Sequence, residues 1–519
     1  MGRVVGIDLG TTYSAVAVLQ DDGLPEIIKN AEGESTTPSV VLFQTFDGID
    51  EPIVGTMAKN SAASDPDNVI QYIKRNMGDP NWRFDSDSGV SYTPEEISAL
   101  ILKKLKQDAE LTLGDSIDGA VITVPAYFDD ARRTATKHAG VIAGLNVLRI
   151  LNEPTAAALS FGLDTERDGV ALIYDLGGGT FDVTLLKIAG GHFEVIGTDG
   201  DRNLGGFDFD NALMRLVVDD LKNQGAPDIL VDPFLSSELR EKCELAKRAL
   251  SNVEKTTVHM SISGKAYRCV ITRDQFESAT SNLLKRTREL VEDVLDDANC
   301  SWDEIDHVVL VGGSTRMPMV RKLMTDISHM QPEVGVNPDE AVALGAAVQA
   351  VLEVEAHPEL VDNTTQEYVA SVEPSIGEIE ITDVTSQALG VVMLNEQDRD
   401  YNQVVIPRNS SIPCNYSQEG ATVVDNQQCI NVQVTQGDDT DLSYVVVIGS
   451  KELRLPPGLP KGSPLRITYS YDSEQTVHVE LFDETNNKSL GEFEIDRIAN
   501  MNKDDLDAAK VKIQNMNIE

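Results

Sequence analysis

The chemistry this chain can do is concentrated in three aspartates beside glycine-rich turns. Asp175 and Asp182 bracket Leu176-Gly177-Gly178-Gly179-Thr180-Phe181, and Asp8 opens Leu9-Gly10-Thr11-Thr12-Tyr13. Consecutive glycines permit positive φ and bring bare backbone close to a ligand. Backbone N–H groups in such a turn form a concavity suited to phosphate. Carboxylates beside it would repel a phosphate unless a hard cation with oxygen ligands bridges them, most simply Mg²⁺. For one turn alone, an ordinary glycine hairpin is the competing reading.

The elements around the turns sharpen this reading. Short apolar, β-branched runs flank both turns: Val170–Tyr174 and Val183–Leu186 around one, Val4–Ile7 and Ala15–Val18 around the other. The pattern predicts strand, tight turn, strand, used twice. The copies lie far apart, so this is a domain-scale repeat, and two such hairpins facing each other would clamp a polyphosphate. A third turn, Gly312-Gly313-Ser314-Thr315-Arg316, follows the apolar run 308–311. Close backbone approach there suits a flat adenine, with Arg316 stacking on it.

These residues resemble the seventy-kilodalton heat-shock chaperone family of the actin-like ATPase superfamily. The resemblance rests on Gly6–Ser14, Val121–Phe128, Asn152–Ala158, the 175–182 turn and Val311–Arg316, in matching order and spacing along residues 1–350. It weakens beyond residue 383. It implies an α/β actin-like two-lobed ATPase domain over 1–353, with lobes of about 1–166 and 167–353, followed by an antiparallel β-sandwich domain that binds peptides.

Carried over residue by residue, the resemblance implies a catalytic set of Lys74, Glu153, Asp182, Asp8 and Thr180. A lone lysine such as Lys74 is ordinarily a solvated side chain, and Glu153 reads equally as a helix N-terminal acid. The implied metal set is Asp8, Glu153, Asp175 and Asp182. The implied nucleotide set is Gly10, Thr11, Thr12, Tyr13, Gly177, Gly178, Gly179, Thr180, Gly206, Glu244, Lys247, Arg248, Ser251, Gly312, Gly313, Ser314, Arg316 and Asp339. Cofactors would be ATP/ADP and Mg²⁺, with K⁺ as a further ion. His138 and His307 have no nucleophile partner in the sequence and read as structural.

Residues 354–383 are polar and acidic with scattered Pro, Gly, Thr and Ser, and read as a flexible interdomain linker. Asp383-Val384-Thr385 matches the family's linker end, but Glu380 stands where an apolar residue is expected, which questions docking of this segment. Residues 384–498 alternate in strand fashion between turn clusters, predicting the β-sandwich. Val391, Met393, Ile430 and Val432 match positions lining the family's peptide cleft; buried sandwich core is the competing reading. Asn502 as N-cap and the stripe Leu506, Ala509, Ile513, Met516 predict a short helix within 499–519. The family's helical lid is expected to be mostly absent.

The implied partners are unfolded or extended polypeptides, a J-domain co-chaperone meeting Arg149, Asn152 and Thr155, and a nucleotide-exchange factor. The expected function is ATP-dependent chaperoning. A regulatory or scaffold protein of the same family, docking one dedicated partner on its β-domain, is the alternative. A small-molecule kinase of the wider superfamily is a third.

Composition narrows the classes. The 519 residues carry a formal net charge of −42, which argues against nucleic-acid binding and against anionic membrane surfaces. The five cysteines are scattered and odd in number, with no CxxC pair, which suits reduced thiols in a cytoplasm. No signal peptide or bilayer-spanning run is expected.

Overall fold

Near-continuous apolar runs such as Ala120–Val124 are buried on both faces only in a sheet that is itself covered on both sides. The computed structural model describes residues 2–519 except 163–167, 334–336, 377–378, 396, 398, 473–475 and 495–500. In it the first sheet runs in the order Val147–Asn152, Ser116–Val124, Gly2–Asp8, Tyr13–Leu19, Pro25–Ile28. Gly2–Asp8 pairs antiparallel with Tyr13–Leu19 and parallel with Ser116–Val124.

The second sheet repeats the plan. Gly169–Leu176 pairs antiparallel with Phe181–Ala189 and parallel with His307–Val311. The sheet continues through His192–Asp201, Glu380–Val384 and Ser411–Ile412. Its side chains alternate between two cores, as the period of two requires. Ala171, Ile173, Val309 and Val311 enter the first core, and Leu172, Tyr174, Val308 and Leu310 the second. The lobe boundary expected at 166/167 and the sandwich end expected at 498 lie outside the described residues.

Parallel strands need crossovers, and the local sequence punctuates them. Helix Pro94–Leu113 starts with a capping box between Thr93 and Glu96 and stops at Gly114 in the left-handed conformation. Helix Ala341–Ala356 is almost wholly buried against the first sheet. It comes so close that a Cβ on Gly6 would sit 2.1 Å from Ala347 N, and one on Gly345 would sit 1.7 Å from Ala156 O.

The stretch expected to be flexible coil is folded. Helix Asn363–Ile376 seats Tyr368, Val369 and Val372 in the first core, and Tyr368 Oη donates to Leu19 O at 2.6 Å. Three apolar residues on one helical face outweigh the acidic composition that suggested coil. The expected loss of docking at Glu380 is absent too. Glu380–Val384 adds as a parallel strand to His192–Asp201; Ile381 packs inward, while Glu380 points to solvent beside His192.

Beyond it, two four-stranded antiparallel sheets enclose a third core. One sheet is Asp400–Ile406, Leu389–Leu394, Cys429–Gln436, Val446–Arg454; the other is Cys414–Ala421, Pro464–Tyr471, Val477–Asp483, Lys488–Glu494. Helix Lys503–Gln514, capped by Asn502, returns to the first core through Ala509 and Ile513. Lys103 Nζ donates to the carbonyls of Ile513, Gln514 and Met516 at 3.0, 3.1 and 2.6 Å, satisfying its last turn. No helix among the described residues is long and apolar enough to cross a membrane.

Candidate active site

The two Asp-Gly turns meet face to face. A Cβ on Gly178 would lie 2.3 Å from Thr12 Oγ1, and one on Gly179 would lie 2.6 Å from Thr11 Cγ2. Only bare backbone fits between the hairpins, as the run of glycines anticipated. A second glycine pair closes in behind: Gly206 N donates to Gly177 O at 3.0 Å and Phe207 N to Gly178 O at 2.8 Å. The third turn joins them, because Ser314 Oγ donates to Gly177 O at 2.9 Å. Gly312 has φ of 81°, and a Cβ there would strike Asp175 Oδ1 at 2.5 Å.

Asp175 and Asp182 are paired across the hairpin and are both buried, as are Glu153, Thr180 and Lys74. Lys74 is ion-paired with Glu153. Burial, followed by the Glu153 charge, pushes Asp8 and Asp182 each up to about 7. The same two causes raise Asp175 well above the carboxylate range. Tyr127 N–H donates to Asp182 Oδ1 at 3.0 Å and so fixes its orientation.

Carboxylates forced together out of water call for a cation. Among the described residues no three His, Cys, Asp or Glu side chains are arranged to ligate one ion directly. The chemistry of the set, oxygen donors only, fits a hard cation such as Mg²⁺.

Comparison with known proteins decides the family. The Hsp70 protein family model matches residues 4–519. The chain belongs to the Hsp70 family. Curated relatives named Chaperone protein DnaK from Thermotoga neapolitana and Thermotoga maritima are 44 % identical over 487 residues, covering 92 % of this chain and 77 % of each relative. Hsp70 proteins are ATPases that act as chaperones, and they bind ATP or ADP with Mg²⁺.

In this Hsp70 chain the residues expected at adenosine lie along helix Pro233–Asn252 and the third turn. Lys247 Nζ donates to Gly206 O and to Asp210, both at 2.9 Å. Glu244 is held by Lys59 at 2.9 Å and Arg248 at 2.7 Å. Tyr13 Oη accepts from the same two cations at 2.7 and 2.8 Å. Ser251 Oγ bonds back to Lys247 O. Arg316 Nε pairs with Asp339 at 3.0 Å.

Sequence reasoning missed Lys59, because nothing marks a lysine in the six-residue helix Thr56–Ser61 as reaching residue 244. It also missed Arg133, which donates to Asn152, which in turn donates to the buried Asp383 at 2.7 Å.

Val391 and Val432 point into the sandwich core and are 2 % and 1 % exposed; Met393 and Ile430 are only partly buried against it. Residues two apart share a face of a strand, so all four turn toward the third core, with Met393 and Ile430 nearer its edge. Asn152 and Thr155 are buried, and Arg149 pairs with Glu353 at 2.7 Å. His307 Nδ1 lies 2.7 Å from Glu333 Oε1, an ion-pair contact and not a nucleophile pairing. His138 Nδ1 is buried without a hydrogen-bond partner, and the five cysteines are free.

Proposed function

We propose that this Hsp70 chain hydrolyses ATP between its glycine turns and couples turnover to holding extended apolar polypeptide on the 384–498 sandwich. In this reading residues 1–353 are the two-lobed, actin-like ATPase domain. The observation that carries it is the buried cluster Asp8, Asp175, Asp182, Glu153 and Lys74 beside a cradle that only bare backbone fills.

Asp8, Asp175 and Glu153 would hold Mg²⁺, which would supply positive charge to the nucleotide's phosphates. Thr11, Thr12, Thr180 and the turn N–H groups donate to phosphate oxygens. Lys74 sets its charge where negative charge develops. Asp182, fixed by Tyr127 N–H, orients the attacking water and takes its proton; a proton affinity raised to about 7 suits that task. Glu244, Lys247, Arg248, Ser251, Arg316 and Asp339 hold adenosine. The acidic composition and free thiols suit a cytoplasmic setting.

The test is steady-state ATP turnover with and without an unfolded model peptide. Stimulation by peptide is the expected result. Turnover indifferent to peptide would move the reading to a dedicated-partner scaffold.

A further inference from the structure

A second, open pocket lies on the phosphate side of the site. Thr11 and Thr180 form its inner wall, one from each glycine turn, and Lys74, Arg75, Arg132 and Arg202 line the rest with four cations. No carboxylate lines it, in a chain whose net charge is −42.

The inner two cations are matched by carboxylates: Lys74 pairs with Glu153, and Arg75 with Asp208 at 2.6 Å. The outer two are not matched one for one. Among the described residues Arg132 and Arg202 share one ion-pair partner, Asp129, at 2.6 and 3.8 Å. Exposure rises along the wall, from 5 % at Lys74 through 16 % and 21 % at Arg75 and Arg132 to 47 % at Arg202. The cavity is thus a passage that starts at the phosphate cradle and ends in solvent. None of the adenosine-side residues lines it.

We propose that this passage is a product subsite, in which Arg132 and Arg202 hold inorganic orthophosphate as it leaves the cradle. The product role rests on the ATPase reading above. A compact dianion gains charge-assisted hydrogen bonds from both guanidinium groups, which otherwise share Asp129.

The test is equilibrium dialysis of radiolabelled orthophosphate against the full chain loaded with ADP and Mg²⁺. Arg202→Gln and Arg132→Gln are compared with the parent. Arg202 is half-exposed, so its variant keeps the fold, and ADP affinity in the same samples reports folding. Each variant is expected to bind orthophosphate roughly tenfold more weakly, the loss of one charge-assisted contact. A parent chain that turns over ATP, with variants that hold orthophosphate as tightly as it does, overturns the subsite and leaves the ATPase standing. A parent that binds orthophosphate through these arginines without hydrolysing ATP defeats the ATPase reading and strips the site of its product role.

Discussion

Asp175 and Asp182 face each other as register partners across one hairpin, 5 % and 1 % exposed. Like charges directly opposite on a ladder are destabilising, and here water is excluded as well. In the proposed ATPase reading, a cation and a nucleotide complete the pair.

Asp182→Asn therefore separates stability from function. The amide keeps an oxygen for Tyr127 N–H and removes one charge from the cluster. At pH 8 the nucleotide-free variant should melt several degrees above the parent, a gain of about 1–2 kcal/mol. Single-turnover hydrolysis should fall by roughly 10²-fold or more. Calorimetry and acid quench read the two arms, and a variant that melts lower than the parent would show that repulsion is not what makes the cluster costly.

Lys74→Ala should keep ATP binding and lose turnover by roughly 10²–10³-fold. It should also lower the melting temperature of the nucleotide-free chain, because Glu153 is left buried without its counter-ion. Single-turnover hydrolysis at the parent rate would sink the assignment.

The relay Arg133–Asn152–Asp383 ties the strand Glu380–Val384 to the end of the first sheet. Asn152→Ala leaves Asp383 short of a donor in a buried position, at a cost of about 1–3 kcal/mol. The strand should detach more often. Limited proteolysis near residue 385 should speed up, and any stimulation of ATP turnover by peptide should shrink. Unchanged cleavage would mean that the ladder to His192–Glu194 holds the strand by itself.

Asp50 predicts a pH signature away from the active site. Burial alone would raise it, but hydroxyls of Ser86, Ser88, Thr45 and Tyr92 all donate to it and hold it below its ordinary value. A depressed folded value contributes stability above the unfolded pKa, near ~4, and loses it as pH falls. Asp50→Asn should thus destabilise the chain at pH 7 by about 1–3 kcal/mol, and the difference from the parent should narrow as pH drops through about 4. A gap constant with pH would show that the carboxylate charge contributes nothing.

Some of this protein is written locally. The Asp-Gly turns, the Thr93–Glu96 box with Gly114 as its stop, the alternation along Val477–Asp483 and the Asn502 cap all follow from neighbours within a few residues. Backbone freedom, capping geometry and side-chain period act over that range, so those elements are legible without coordinates. Helix Asn363–Ile376 was obscured because composition spoke for coil while three residues spoke for burial. The contacts that make the site are not local at all. Lys74 meets Glu153 across 79 positions, Lys59 meets Glu244 across 185, and Asn152 meets Asp383 across 231. Which lysine reaches which carboxylate depends on how sheets and helices close over the apolar cores. No local preference encodes that closure, and only the tertiary fold turned scattered charges into a cluster, a strap and a relay.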